Sequence, residues 1–533
     1  MSVAIGVDVG TGSARAGVFS LEGAVLGAGV AAIETTHPAP DFAQQSSAEI
    51  WRAVAHAVRA AVAEAGVTPD AVVGLGFDAT CSLVVSGADG APVSVDPEGR
   101  ADQDVILWMD HRATPEADDI NRIGGTPLDY VGGRISPEME MPKLLWLKQY
   151  LPRAWADMRR AWDLPDWLVH KATGGETRSL CSAVCKWTYL GHLGQAGEGW
   201  DRGFLDAIGL GDLTAEVIGT AFAPPGALAG RLTESAAADL GLQPGIAVGA
   251  SLIDAHAGAL GTLGVAGGDL VSRLAMIAGT STCHIGLTRE PVFVPGVWGP
   301  YFGVVLGGYW ALEGGQSAAG ALLDAVIARH AASATLDLRG DERVSDALDA
   351  RLAKMLGETA FQSRDRHLQP DFHGNRSPLA EPWRRGGLDG LTLHGDADDL
   401  ARDYLAAQHA LAYGTRAILE AMAAEGEVFD SLVVSGGLAK NPLYLQSHAD
   451  VTGCRVVVPA QQEPVLLGSA MLGAVAAGRF ADLPSAMAAM SGEAREIAPR
   501  GGKIAAYHAK KYQVFRRMQD DHAAYRAIMA EGW

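Results

Sequence analysis

Long apolar runs are missing from this 533-residue chain. The smoothest stretch, Pro464 to Gly478, is too short to span a bilayer and is interrupted by Gly and Ser, so it reads as a buried helix and no membrane association is expected. No secretory leader is expected: the sequence enters a strand-like run, Val3 to Asp8, without a basic segment followed by an apolar one. Basic excess is absent. Lys and Arg number 42 against 62 Asp and Glu, a formal net charge of −20, and such a surface repels nucleic acid and anionic membrane. Cysteine is sparse, with Cys81, Cys181, Cys185, Cys283 and Cys454 scattered and odd in number. Cys181 and Cys185 have no matching Cys or His pair at zinc-ligand spacing, so buried reduced thiols in a cytoplasmic protein are expected. Two nucleotide signatures are missing as well: neither Gly-x-x-x-x-Gly-Lys-Ser/Thr nor a Gly-x-Gly-x-x-Gly after a strand occurs.

Strand-like and helical patterns alternate along the chain, which predicts an α/β protein of two domains. The small-residue segment from Ala247 through Asp254 to Gly261, followed by Gly264, Gly267 and Gly268, suits a hinge, so the boundary is placed between 1–262 and 263–533. Helices are expected over 48–65, stopped by Gly66, over 143–151, over 165–173 with Pro at the start and Gly174 at the stop, over 316–330, 398–424 and 464–477, and from Pro442. The tail, 508–529, reads as a charged helix. Strands are expected over 72–78, 82–85, 431–435 and 455–458, with a strand pair within 304–313.

One pattern occurs twice. Asp8-Val-Gly10-Thr11-Gly12-Ser13-Ala-Arg15 and Ile277-Ala-Gly279-Thr280-Ser281-Thr282 are both Gly/Thr turns between β-rich runs. Such turns aim backbone N–H and hydroxyl groups at one point, which suits a polyphosphate held from both sides. Only the first copy carries a carboxylate. Asp8 at the end of a buried strand requires a metal or basic partner, so Mg²⁺ is expected there, on one side of the site only. Asp254 is a lone carboxylate among small apolar residues and serves either as a helix cap or as the base that takes a proton from an attacking hydroxyl. His256 nearby is expected as a packed polar residue. Ser435-Gly436-Gly437 through Asn441 joins a strand to a helix, and its paired glycines let a flat adenine ring approach the backbone. Thr80, Cys81 and Ser82 form a polar turn able to face a small ligand. Trp108-Met-Asp110-His111-Arg112 mixes groups found in sugar sites, and Glu313 stands at a strand end where it can bind hydroxyls.

Together these motifs resemble the FGGY carbohydrate kinases of the actin-like ATPase superfamily, over nearly the whole chain and in the right order. The resemblance implies two actin-like (ribonuclease H-like) domains with the active site in the cleft between them. It implies ATP held by Gly10, Thr11, Ser13 and Arg15, by Gly279, Thr280 and Ser281, and by Gly436, Gly437 and Asn441, with Mg²⁺ at Asp8. Asp254 falls where the family has its catalytic base. Thr80-Cys81-Ser82-Leu83-Val84 looks like the D-ribulokinase turn, and Asp371 to Pro378 is similar to that branch. By the same resemblance Lys186, Asp254 and Glu313 contact sugar hydroxyls, and the residue patterns add Thr80, Cys81 and Asp110 to the expected sugar site. The xylulokinase Gln-Met-His-Gly turn and the glycerol kinase Arg-Glu-Thr turn are absent. The expected activity is phosphorylation of D-ribulose, with L-ribulose or ribitol as nearest alternatives and an actin-like ATPase regulator as a remote one. A small-molecule sugar is the expected partner. Dimers are common in such kinases, but no interface stripe is visible.

Overall fold

The computed structural model describes residues 2–265, 269–336, 338, 342–461 and 463–530. Gly267 and Gly268, counted in the expected hinge, lie outside the described residues. Two seven-stranded sheets organise the chain. The first contains β1 (Val3–Val9), β2 (Ser13–Ser20), β3 (Val25–Ala32), β4 (Val72–Ala79), β5 (Leu228–Arg231), β6 (Ala247–Gly249) and β7 (Leu252–Ile253). Its order is β5-β6-β4-β1-β2-β3, with β7 also paired to β4. The second contains β8 (Arg273–Ala278), β9 (Thr282–Thr288), β10 (Trp298–Phe302), β11 (Trp310–Gln316), β12 (Ser431–Ser435), β13 (Arg455–Pro459) and β14 (Ala494–Ile497), in the order β10-β11-β9-β8-β12-β13-β14. The duplicated pattern is therefore duplicated structure. In each half a hairpin (β1–β2, β8–β9) has a parallel neighbour beside its first strand (β4, β12).

Local chemistry explains most boundaries. Helix α1 (Ser47–Ala65) starts where Ser46 accepts the Glu49 N–H and stops at Gly66 in the left-handed region. Helix α2 spans Glu140–Tyr150, three residues earlier than expected, because Pro142 sits in its first turn, where no N–H is needed. Helix α3 (Leu164–Thr173) ends at left-handed Gly174. Helix α4 (Leu180–Lys186) is capped by Ser179. Two expectations fail between 304 and 330. Residues 303–309 are a turn rather than a strand, so the antiparallel pair is β10 with β11. The following helix, α6 (Gly320–Arg329), begins late because Gln316 still belongs to β11. It follows α5 (Asp254–Leu263) in the chain. Helix α7 is Ala397–Ala424, α8 is Pro442–Thr452, α9 is Pro464–Ala476 and the tail forms α10 (Lys503–Ala530). No helix among the described residues is long and apolar enough to cross a membrane.

Helices α5 and α9 form the layer behind the cleft. Although α9 lies far along the chain, it seats on the first sheet, and the seating is backbone against backbone. A Cβ added at Gly6 of β1 would stand 1.9 Å from the Leu466 carbonyl, and one at Gly261 of α5 1.9 Å from the Pro464 carbonyl. No side chain other than hydrogen fits such approaches. Leu466, Leu467, Met471 and Leu472 of α9 are buried in the same core as Leu260 and Leu263 of α5, each contributing roughly 1.5–3 kcal/mol.

Candidate active site

Parallel pairing gathers three carboxylates at the carboxyl ends of the first sheet, where open α/β sheets bind ligands. Asp8 lies opposite Asp78 in the β1–β4 register, and Ile253, next to Asp254, lies opposite Ala79 in the β7–β4 register. Asp8 has a basic partner: Arg15 Nε donates to its Oδ2 at 2.9 Å, while Arg15 Nη1 reaches Glu463, just before α9, at 3.2 Å. Arg15 is thus committed to an ion pair across the hairpin. Asp78, not singled out from the sequence, is fully buried; one oxygen accepts from Ser469 of α9 and Oδ1 has no hydrogen-bond partner among the described residues. Burial, then the Asp8 charge, pushes its carboxyl well above the usual range. Asp254 is the first residue of α5, behind the N-cap Ile253, and its Oδ1 accepts the Ala255 N–H at 2.7 Å. It is not the cap itself. Burial first and Asp8 second push it up to about 7, near the pH at which a general base works best.

At the matching places in the second half stand neutral residues. Ile277 lies opposite Ser435 in the β8–β12 register, exactly where the first half has Asp8 opposite Asp78. The acidic side of the cleft is therefore unique. The two turns are built alike, with Gly10 N–H donating to the Ser13 carbonyl at 3.0 Å and Gly279 N–H to the Ser281 carbonyl at 2.9 Å. Thr11 Oγ accepts from Trp108 Nε1 at 3.0 Å. The carbonyls of Gly279 and Thr280 take N–H groups at the start of α6, and the Thr280 side chain faces solvent. Gly436 adopts φ 88°, and a Cβ there would stand 2.5 Å from the Ala278 carbonyl. Among the described residues nothing beyond its chain neighbours lies within 4 Å of the Cβ position of Gly437, so the backbone there is open. Asn441 acts from behind the turn: its Oδ1 caps α8 at the Tyr444 N–H, 2.9 Å away, and its Nδ2 donates to Tyr404.

Opposite the acids, Lys186 ends α4 with its ammonium 4.6 Å from the centre of the Trp298 ring. Burial lowers its pKa, but the acidic groups around it, Glu313 among them, outweigh burial and hold it well above the usual value. Glu313 of β11 is buried, and its Oε2 has no hydrogen-bond partner among the described residues. Arg376, from the segment 371–378, lies 3.9 Å from Glu138 and also stands over Trp298. Burial raises the Glu138 carboxyl, yet His111, Arg376 and Lys186 hold it down at about 2. Thr80 is buried, its hydroxyl 3.2 Å from that of Ser82. Burial pushes the Cys81 thiol far up, so it stays neutral. Asp110 departs from expectation. Its carboxylate is spent on Arg112, at 2.7–2.9 Å, and on the Ala43 N–H at 2.6 Å. The guanidinium is itself stacked on Phe42 and near Trp146. The pair is buried, not superficial, and leaves Asp110 no free acceptor for a sugar. Asp78, Glu138 and Trp298 escaped the sequence because only the fold brings them to the cleft, while Arg376 lies in the segment 371–378 that the resemblance marked without singling it out. The one available signal was Asp78, an acid ending a buried strand just as Asp8 does.

Residues 3–261 match the N-terminal domain model of the FGGY family of carbohydrate kinases and residues 274–477 its C-terminal domain model. The chain is 46% identical to a human FGGY carbohydrate kinase domain-containing protein, over 98% of this chain and 97% of that one. It is 41% identical to a D-ribulokinase of Saccharomyces cerevisiae, over 89% of this chain and 72% of the yeast protein. Among solved structures, a xylulose kinase from Lactobacillus acidophilus superposes with a TM-score of 0.81 at 18% identity, covering 99% of this chain and 100% of that one. That likeness establishes the fold, two actin-like domains. Duplicated hairpins, one acidic flank and a matched family over both halves lead to one assignment: the chain belongs to the FGGY family of carbohydrate kinases and is an ATP-dependent sugar kinase.

Proposed function

We propose that the chain phosphorylates D-ribulose at its terminal hydroxyl, O5, giving D-ribulose 5-phosphate, with the γ-phosphoryl group of ATP as donor. The observation that carries this reading is the register of β4 with β7, which seats the Thr80-Cys81-Ser82 turn beside Asp254. Identity to the yeast D-ribulokinase supports the same substrate. Asp254 accepts the proton of the attacking hydroxyl. Lys186 donates to sugar oxygens, and Glu313, with an unused oxygen, accepts from a hydroxyl. The turns at Gly10–Ser13 and Gly279–Ser281 offer N–H and hydroxyl groups to the phosphates, and Gly436-Gly437 leaves room for the adenine. The orphaned Asp78 Oδ1 beside Asp8 fits a hard cation. Asp8 and Asp78 would hold Mg²⁺, which when bound offsets charge on the transferring phosphoryl group.

A panel of ketopentoses and pentitols in an ADP-coupled assay tests the reading. D-Ribulose should give the highest kcat/KM, with L-ribulose and ribitol the nearest competitors. A clear preference for xylulose or glycerol would overturn it.

A further inference from the structure

Behind Lys186 and Glu313 lies a group of soft ligands that sugar phosphorylation does not use. Helix α4 carries Cys181 and Cys185 one turn apart, so both thiols lie on one face. Helix α5 brings His256 against that face. The two Sγ atoms and a ring nitrogen of His256 all lie within 4.8 Å of one another. Cys185 Sγ is 3.6 Å from His256 Nε2, and Glu313 Oε2 is 3.8 Å from the same nitrogen. All four side chains are buried, and Glu313 Oε2 has no hydrogen-bond partner among the described residues.

Tetrahedral zinc, with metal–sulfur and metal–nitrogen distances of about 2.3 and 2.0–2.1 Å, sets its sulfur and nitrogen ligands about 3.6 Å apart. The Cys185–His256 separation already has that value. We propose that Cys181, Cys185, His256 and Glu313 form a binding site for a thiophilic divalent cation of the Zn²⁺ class, and that its occupation withdraws Glu313 from the sugar. Two thiolates select such an ion over Mg²⁺, which prefers oxygen donors. Each thiol gives up its proton to solvent on binding, so the site loads better as pH rises. Drawing the Glu313 carboxylate toward His256 costs the sugar its acceptor while leaving the acidic flank at Asp8 and Asp78 untouched. The inhibitory half of this inference rests on Glu313 being a sugar ligand; the metal site does not.

The test uses the reduced full-length protein and Co²⁺ as a spectroscopic stand-in for Zn²⁺, read after long incubation because the ligands are buried. About one equivalent of Co²⁺ should bind with the thiolate-to-cobalt charge-transfer band and the visible bands of a tetrahedral ion, and Zn²⁺ should displace it. The C181S/C185S variant should lose the charge-transfer band. His256→Asn, which keeps both thiols, should weaken Co²⁺ binding roughly tenfold or more; near-ultraviolet circular dichroism confirms that each variant is folded. Absence of the band in the wild type, or its persistence in the double serine variant, would overturn the site. In the sugar assay Zn²⁺ should raise the KM for the pentose and leave that for MgATP unchanged. If Co²⁺ binds as expected but Zn²⁺ raises the MgATP KM instead, the metal site stands and its coupling to Glu313 is refuted. The spectroscopic result is the same whichever sugar is turned over.

Discussion

Replacing Asp254 with Asn separates catalysis from stability and moves them in opposite directions. Asn keeps the size of Asp and can still accept the Ala255 N–H that Asp254 Oδ1 accepts at 2.7 Å. It cannot take a proton, so kcat should fall by roughly 10²–10⁴, or about 3–5 kcal/mol of barrier. Burial and Asp8 raise the carboxyl from an ordinary 3.8 to about 7. The folded protein therefore binds more protons at this group than the unfolded chain does between those values. Its contribution to stability is complete below pH 4 and is lost as pH rises through 7. Holding the group ionised at pH 8 costs up to about 4 kcal/mol at 1.36 kcal/mol per decade, and partial access to the cleft trims this to roughly 2–3. The neutral Asn avoids the cost. For a chain of this length the gain corresponds to a rise in Tm of roughly 2–3 °C at pH 8, shrinking toward zero by pH 4. The assays are sugar-dependent ADP release and thermal unfolding across pH, with ADP binding by calorimetry to show an intact nucleotide site. The wild-type kcat/KM should climb with pH, reach half its limit near 7 and level off about a unit higher, a limb the variant lacks. Normal turnover, or a lower Tm at pH 8, would refute the assignment of Asp254 as a strained, buried base.

Three further substitutions probe other parts of the argument. Lys186→Met should raise the KM for the pentose by about 10–100-fold, the worth of a charged hydrogen bond, with the KM for ATP unchanged in steady-state kinetics. Asp110→Asn should leave the pentose KM alone and lower stability by roughly 3–5 kcal/mol, since it strands a buried Arg112; denaturant titration and kinetics on the folded fraction measure both, and a raised pentose KM would restore Asp110 to the sugar site. Gly6→Ala drives a methyl group to 1.9 Å from the Leu466 carbonyl, so α9 must shift. It should cost roughly 1–3 kcal/mol or more, seen as a lower denaturation midpoint.

What could be read from the sequence was local in origin. The hairpin turns, the Gly66 and Gly174 stops and the strands ending at Asp78 and Ser435 depend on neighbours within a few residues, and each occurs within a residue or two of its expected place. The run 304–313 misled because Val304, Val305 and Leu306 are apolar enough for a strand, yet they are buried in a turn that delivers β11. Asp110 misled differently. Adjacent Trp, Asp and Arg resemble a sugar site, but nothing nearby announces that Phe42 and Trp146 enclose Arg112 and draw the carboxylate inward. Glu138, Arg376 and Trp298 come from three distant segments, and their meeting is a property of the fold alone. The same holds for His256, whose spacing from Cys181 and Cys185 matches no zinc motif although α4 and α5 bring the three together.

The seating of α9 on the glycines of the first sheet has a consequence during synthesis. The ribosome completes α5 about 200 residues before α9, a delay on the order of 10–40 s at usual elongation rates. Through that interval the trough at Gly6, Gly74 and Gly76, where α9 makes its backbone contacts, has no lid. The nascent first half is thus born with an open apolar seam that only the far end of the same message can close. Such a seam is where a holdase chaperone would grip the growing chain, and where a truncated product would stick to its neighbours.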